Sequence, residues 1–252
     1  MSNIENFTKI KNGFVKTPYG KVYFKLRPAH NAVHGVVKLL LLHGLGGTSN
    51  TFKKLINELP DNIEVYALDL LGHGKSDKPS IKYSVGMQAE ILHHFVTAVK
   101  YSNFYLYGHS YGAHVAMRYA LYYGTKKVNG FIIEDSPILK TYFKDLSKNK
   151  KLINRIIKTA LTSKSSKKQI VLNSLDNIIE DGLADIFFID KPILIIWGKN
   201  DKITKIEFAY KLKAKSKNAV FRVIKNAQHV PHYSSPAELR NLLLQFMKYN
   251  NN

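Results

Sequence analysis

The sequence predicts an α/β fold: a mainly parallel central sheet, helices on both faces, and a small helical cap inserted beside the strand ends. Three observations carry this. Short, nearly continuous apolar runs recur at Val36–Leu42, Ile63–Leu68, Phe104–Tyr107, Phe131–Ile133 and Ile193–Trp197, as in strands covered on both faces. Helix-like stretches at 50–58, 84–100, 111–123, 205–215 and 235–249 alternate with them. Between Ile138 and Asp190 the alternation stops, and the pattern is helical with no convincing strand.

In order, Phe14–Thr17 and Lys21–Leu26 alternate loosely around Pro18-Tyr19-Gly20, as half-exposed antiparallel strands do. Residues 27–35 read as a loop. A last, more polar strand is expected at Val220–Ile224. The C-terminal helix opens with Ser235-Pro236-Ala237-Glu238: a cap, a first-turn proline and an early acid. In the interrupting segment, Lys151–Ile157 and Ile170–Ile179 are amphipathic pieces separated by Ser163-Lys164-Ser165-Ser166. The expected organisation is a core of 1–137 and 191–252 with a cap of 138–190. No internal repeat or interdomain linker interrupts it.

Composition narrows the function. The 252 residues are 45% hydrophobic and 12% aromatic, enough for a sizeable core. Without cysteine the chain has no disulfide, no thiolate nucleophile and no Cys-ligated metal. No run approaches the roughly 20 apolar residues of a membrane span. Met1–Lys11 has no apolar segment typical of a leader, so a cytoplasmic protein is expected. The net charge of +20 raises nucleic-acid binding, but lysines outnumber arginines 33 to 5 and no nucleic-acid motif accompanies them. Lys191–Lys225, with ten basic and two acidic residues, reads as solvated surface. Steering of an anionic substrate, or an acidic surface, is the remaining use for the charge.

The chemistry gathers at predicted strand ends, where ligands bind in such sheets. Phe104–Tyr107 runs into Gly108-His109-Ser110-Tyr111-Gly112 and then a helix with small Ala113, Ala116 and Ala120. This is the G-x-S-x-G elbow, which presents a serine on a strained strand-to-helix turn. After Leu42 comes His43-Gly44-Leu45-Gly46-Gly47, whose backbone N–H groups can face a developing oxyanion. It has neither phosphate-loop pattern, and no histidine pair has zinc-helix spacing. No cofactor and no metal are expected. Asp69-Leu70-Leu71-Gly72-His73-Gly74-Lys75-Ser76 reads as a tight structural turn. Asp201 follows the Ile193–Trp197 strand and His229 follows the Val220–Ile224 strand, which gives the order Ser…Asp…His.

Together these motifs, from about residue 14 to residue 248, resemble the α/β-hydrolase superfamily, specifically its lid-bearing serine hydrolases. The resemblance implies Ser110 as nucleophile, Asp201 as triad acid and His229 as base, with Leu45 and Tyr111 giving oxyanion-hole N–H groups. Glu134 or Asp135 are alternative acids and His232 an alternative base. The sequence departs from many relatives in having Ala227-Gln228-His229 where they have Gly-His. A serine at the elbow argues against epoxide hydrolases and haloalkane dehalogenases, which use aspartate there. The implied function is hydrolysis of small carboxylic esters through an acyl-enzyme. C–C bond hydrolysis, a prolyl aminopeptidase (whose usual loop proline is absent here) and a slow-turnover receptor-like protein are the alternatives.

Overall fold

The computed structural model describes residues 10–30, 35–162, 164–180, 182–183, 186 and 188–249. Most of the Met1–Lys11 stretch and several residues of 138–190 lie outside these.

Eight strands form one sheet in the order β1-β2-β4-β3-β5-β6-β7-β8. The edge hairpin of β1 (Lys11–Thr17) and β2 (Gly20–Arg27) is antiparallel, and β2 joins β4 (Ile63–Leu68) antiparallel. From there β4, β3 (Val37–Leu42), β5 (Phe104–His109), β6 (Val128–Glu134), β7 (Ile193–Gly198) and β8 (Ala219–Ile224) run parallel. All six parallel strands therefore bring their carboxyl ends to one rim.

The apolar runs are explained by two cores, one per face, because side chains alternate along a strand. Leu40 and Leu42 of β3, with Leu106, Ile133 and Trp197, pack towards α2 (Val85–Ala98) and α3 (Tyr111–Tyr123). Leu39 and Leu41, with Tyr105, Ile132 and Ile196, pack on Leu55 of α1 (Lys53–Glu58) and on Leu239 and Leu243. Strand β6 begins at Val128, three residues earlier than the apolar pattern predicts, because Asn129 and Gly130 lack the expected side chains. A Cβ on Gly130 would lie 3.1 Å from the Pro192 carbonyl oxygen, so close packing there favours glycine.

Between β6 and β7 the chain forms α4 (Lys140–Leu146), α5 (Lys150–Thr162) and α6 (Lys168–Glu180). The sequence pattern pointed to the last two; α4, only seven residues with no acid in its first turn, has too little periodicity to read. Leu139 pairs with Leu183 in an isolated bridge that closes the base of this insertion. The chain then continues through α7 (Glu207–Ala214), the short α8 (Pro231–Ser234) and α9 (Pro236–Tyr249).

Where β5 turns into α3 the two elements cross in near contact. A Cβ on Gly108 would lie 2.4 Å from Ala113 backbone, and one on Gly112 2.3 Å from the Leu42 carbonyl oxygen. Gly112→Ala should destabilise the fold by at least about 3 kcal/mol, because backbone rather than a mobile side chain must yield. In α2, a Cβ on Gly86 meets nothing closer than 3.5 Å, so Gly86→Ala is the control and should be neutral to stabilising. Urea unfolding of both variants checks this; equal midpoints would contradict it.

Candidate active site

Ser110 links β5 to α3 with φ 49° and ψ −113°, a conformation costing roughly 1–3 kcal/mol for a residue with a Cβ. Neighbouring backbone holds it there. The Ser110 N–H donates to the Glu134 carbonyl at 2.9 Å, and its own carbonyl accepts from the Ser136 hydroxyl at 2.7 Å and the Ala113 N–H at 3.0 Å. Above it lies the His43–Gly47 loop, where a Gly44 Cβ would fall 2.7 Å from the His109 ring and 3.3 Å from the Ser110 Cβ.

His43 holds that loop by both ring nitrogens. Its Nε2 accepts from the Leu70 N–H at 3.0 Å, which leaves Nδ1–H to donate to the Gly44 carbonyl at 2.8 Å. Burial holds its pKa below the ordinary value, so the ring stays neutral as both bonds require. The Asp69 turn performs a structural task beside it. The Asp69 carboxylate accepts from the Ser49 N–H at 2.6 Å and the Lys75 N–H at 2.8 Å, while the Ser76 hydroxyl donates to the Asp69 carbonyl. Gly74, at φ 52°, leaves room for that carboxylate: a Cβ there would fall 2.0 Å from the Asp69 Oδ2.

Beyond β7, the Asp201 carboxylate is collected by its own loop. Oδ1 accepts from the Ile203 and Thr204 N–H groups at 2.7 and 3.0 Å; Oδ2 accepts from the Thr204 hydroxyl at 2.5 Å and from His229 Nδ1 at 2.8 Å. Burial opposes its charge, but the His229 bond and the Thr204 donors outweigh that and hold its pKa below the usual carboxylate value. Since His229 gives its Nδ1 proton to Asp201, Nε2 is the nitrogen left to accept one. The Asp201 side chain is fully buried, whereas His229 keeps 14% exposure and lines the cavity.

A second histidine–acid pair stands beside the first. Glu134 Oε2 accepts from His232 Nδ1 at 2.5 Å, and Oε1 accepts from the His232 N–H at 2.8 Å, with both side chains fully buried. Burial raises the Glu134 pKa, but the charge and hydrogen bond of His232, with His109, carry it below normal. Exposure thus separates two pairs that sequence could not. Sequence reasoning also missed His109, a variable position of the elbow motif, whose Nε2–H donates to the His229 carbonyl at 2.7 Å. Asp135, one of the alternative acids, gave no sign in the sequence of its state. It sits at φ 46°, and its Oδ1 accepts from the Gly198 N–H at 2.9 Å; burial and the Asp201 charge push its pKa well up, so it is a neutral acid. His109, Glu134 and His232, and likewise Asp135, Asp201 and His229, bring potential metal-ligating atoms within 4.8 Å of one another. In each set an imidazole already donates to a carboxylate.

The rim encloses a cavity of about 600 Å³, within the range of small-molecule sites. Ser110, His229 and the Gly44–Gly47 loop form its floor, together with Tyr111, at the first turn of α3. Its roof is apolar: Tyr142, Phe143 and Leu146 of α4, Ile156 of α5, and Leu175 and Ile178 of α6.

A family model described as alpha/beta hydrolase fold matches residues 38–155. An uncharacterized protein of Mycobacterium tuberculosis is 25% identical over 83% of this chain and 74% of its own. The monoacylglycerol lipase ABHD6 of Bos taurus is 22% identical over 89% of this chain and 77% of its own. Among solved structures, an esterase from Exiguobacterium antarcticum superposes with a TM-score of 0.79 at 20% identity, covering 93% of this chain and 98% of its own. The chain has the α/β-hydrolase fold. Among the described residues, no helix is long and apolar enough to cross a membrane.

Three buried imidazoles set an acid limit on the fold. Burial lowers the pKa of His73, His109 and His114 to about 3, against about 6.5 in an unfolded chain. Their stabilising contribution is complete above pH 6.5 and lost as pH falls towards 3, because only the unfolded chain takes up those protons. Each unmet proton steepens the decline by about 1.4 kcal/mol per pH unit. In urea titrations between pH 6 and 4, His114→Gln should lessen the slope by about one proton's worth; an unchanged slope contradicts this.

Proposed function

We propose that the protein is a cytoplasmic serine hydrolase that cleaves small carboxylic esters through an acyl-enzyme. The observation that carries this reading is the His229–Asp201 hydrogen bond, 2.8 Å long, on a cavity wall shared with strained Ser110. The lipase and esterase names of the relatives agree with it. In the first half-reaction, Ser110 Oγ attacks the ester carbonyl carbon and passes its proton to His229 Nε2. The Leu45 and Tyr111 N–H groups take the developing oxyanion, each contributing about 3 kcal/mol. Collapse breaks the ester C–O bond, and His229 returns the proton to the departing alcohol. Water then attacks the acyl-enzyme, giving its proton to His229, and the carboxylic acid leaves as Ser110 regains its hydrogen. Asp201 holds the ring in its tautomer and stabilises the imidazolium. Residues 138–190 serve as the cap that excludes water and selects the acyl group through its apolar roof.

On p-nitrophenyl esters, Ser110→Ala should lower turnover at least about 10³-fold, and Asp201→Asn should lower kcat by about 10⁴-fold. Glu134→Gln should leave more activity than Asp201→Asn, since its partner His232 is fully buried. A fluorophosphonate probe should label the wild type and spare the Ser110→Ala variant. Undiminished turnover in Ser110→Ala, with circular dichroism unchanged, would refute the assignment; labelling without turnover would indicate a receptor-like protein instead.

A further inference from the structure

The most concentrated charge on the chain lies on the insertion. Residues 138–168 carry ten basic side chains against one acid, Asp145, so this eighth of the chain supplies +9 of the net +20. All ten are exposed. Residues 169–190 carry five acids and no base, so the charge on the insertion has a direction.

Helix α5 shows how the charge is turned outward. At 3.6 residues per turn, Lys150, Lys151, Arg155 and Lys158 share one side and Leu152, Ile153, Ile156 and Ala160 the other. The apolar side packs onto the core and, through Ile156 and Ala160, roofs the cavity. The basic side faces solvent. The cavity's exposed lining residues, Thr159 and Thr162 of α5 and Tyr233 of α8, mark its mouth at the edge of this face. Lys54 Nζ stands 3.9 Å over the Tyr233 ring. Tyr233 itself is 54% exposed.

We propose that this basic face docks the protein on an anionic lipid bilayer, with the mouth of the cavity against the headgroups. Three features favour a lipid surface over a nucleic acid or an acidic protein. Nine of the ten basic residues are lysines, point charges without the fork that reads phosphodiesters or carboxylates in fixed geometry. The four on α5 share one exposed side of a helix rather than lining a groove. An exposed tyrosine at the mouth, with Lys54 over its ring, is the composition of a membrane-interface rim. Docking adds to the ester reading the source of its substrate, an acyl ester drawn from the bilayer. Only that addition rests on the ester reading; the binding itself does not.

The test is flotation of the full chain carrying Ser110→Ala with vesicles of phosphatidylcholine alone or with about 30% phosphatidylglycerol. Binding is expected on the phosphatidylglycerol vesicles at about 0.1 M salt and should weaken steeply at about 0.5 M. The triple variant Lys150→Glu, Lys151→Glu, Lys158→Glu should lower that binding about 100-fold or more, at several-fold for each lysine near the surface. The control Lys199→Glu, Lys217→Glu, Lys225→Glu changes net charge equally and should bind far more tightly than the first triple. Equal losses in the two triples, equal binding to both vesicle types, or retention of a DNA duplex with no vesicle binding would each overturn the proposal. With Ser110 intact, the first triple should hydrolyse a dissolved p-nitrophenyl ester normally yet lose rate on an ester held in phosphatidylglycerol vesicles. Vesicle binding by a protein inactive on every ester would sustain the docking and defeat the ester reading alone.

Discussion

The structure depends on how closely the chain passes itself at Ser110. Helix α3 can lie within touching distance of β5 and β3 only because Gly108 presents no Cβ to Ala113 and Gly112 none to the Leu42 carbonyl. That crossing forces Ser110 into a backbone region which side-chain sterics disfavour, so the surroundings must hold it. The loop after β6 does much of this: Glu134 receives the Ser110 N–H, and the Ser136 hydroxyl donates to its carbonyl. Asp135, between them, is also left-handed, at φ 46°. Two adjacent strand ends therefore carry strain side by side and brace one another through hydrogen bonds.

Around this turn the fold separates neutral imidazoles from two histidine–carboxylate pairs. His43, His73 and His109 are buried and uncharged, and all three fasten backbone: His43 the glycine loop, His73 the carbonyl of Leu71, His109 the carbonyl of His229. Negative charge is confined to carboxylates with several donors each. Asp201 has four protein hydrogen bonds and Glu134 has two to His232 alone. In the proposed mechanism such preorganisation leaves little to rearrange as charge develops on His229 beside Asp201.

The insertion contributes a different kind of surface on each side. Inward, aromatic and aliphatic side chains of α4, α5 and α6 build an apolar roof; outward, α5 and its neighbours present lysine. One helix can do both because its 3.6-residue period separates the two sets completely.

Much of this was legible in residue order. Uninterrupted apolar runs marked doubly covered strands because burial on both faces tolerates no polar alternation. Glycines flanking Ser110 marked the elbow because only their missing side chains allow the crossing. Ser, Asp and His each followed a strand, β5, β7 and β8, and a parallel sheet brings every carboxyl end to one rim. What the sequence left open was pairing. His229 and His232 lie three residues apart, and Asp201, Glu134 and Asp135 end neighbouring strands, so either histidine could in principle meet several acids. Side-chain distances and burial decided that Asp201 holds the partly exposed His229 while Glu134 holds the fully buried His232. The neutral state of Asp135 was likewise invisible in one dimension, since it arises from the field of a carboxylate 66 positions along the chain and from the exclusion of water around both.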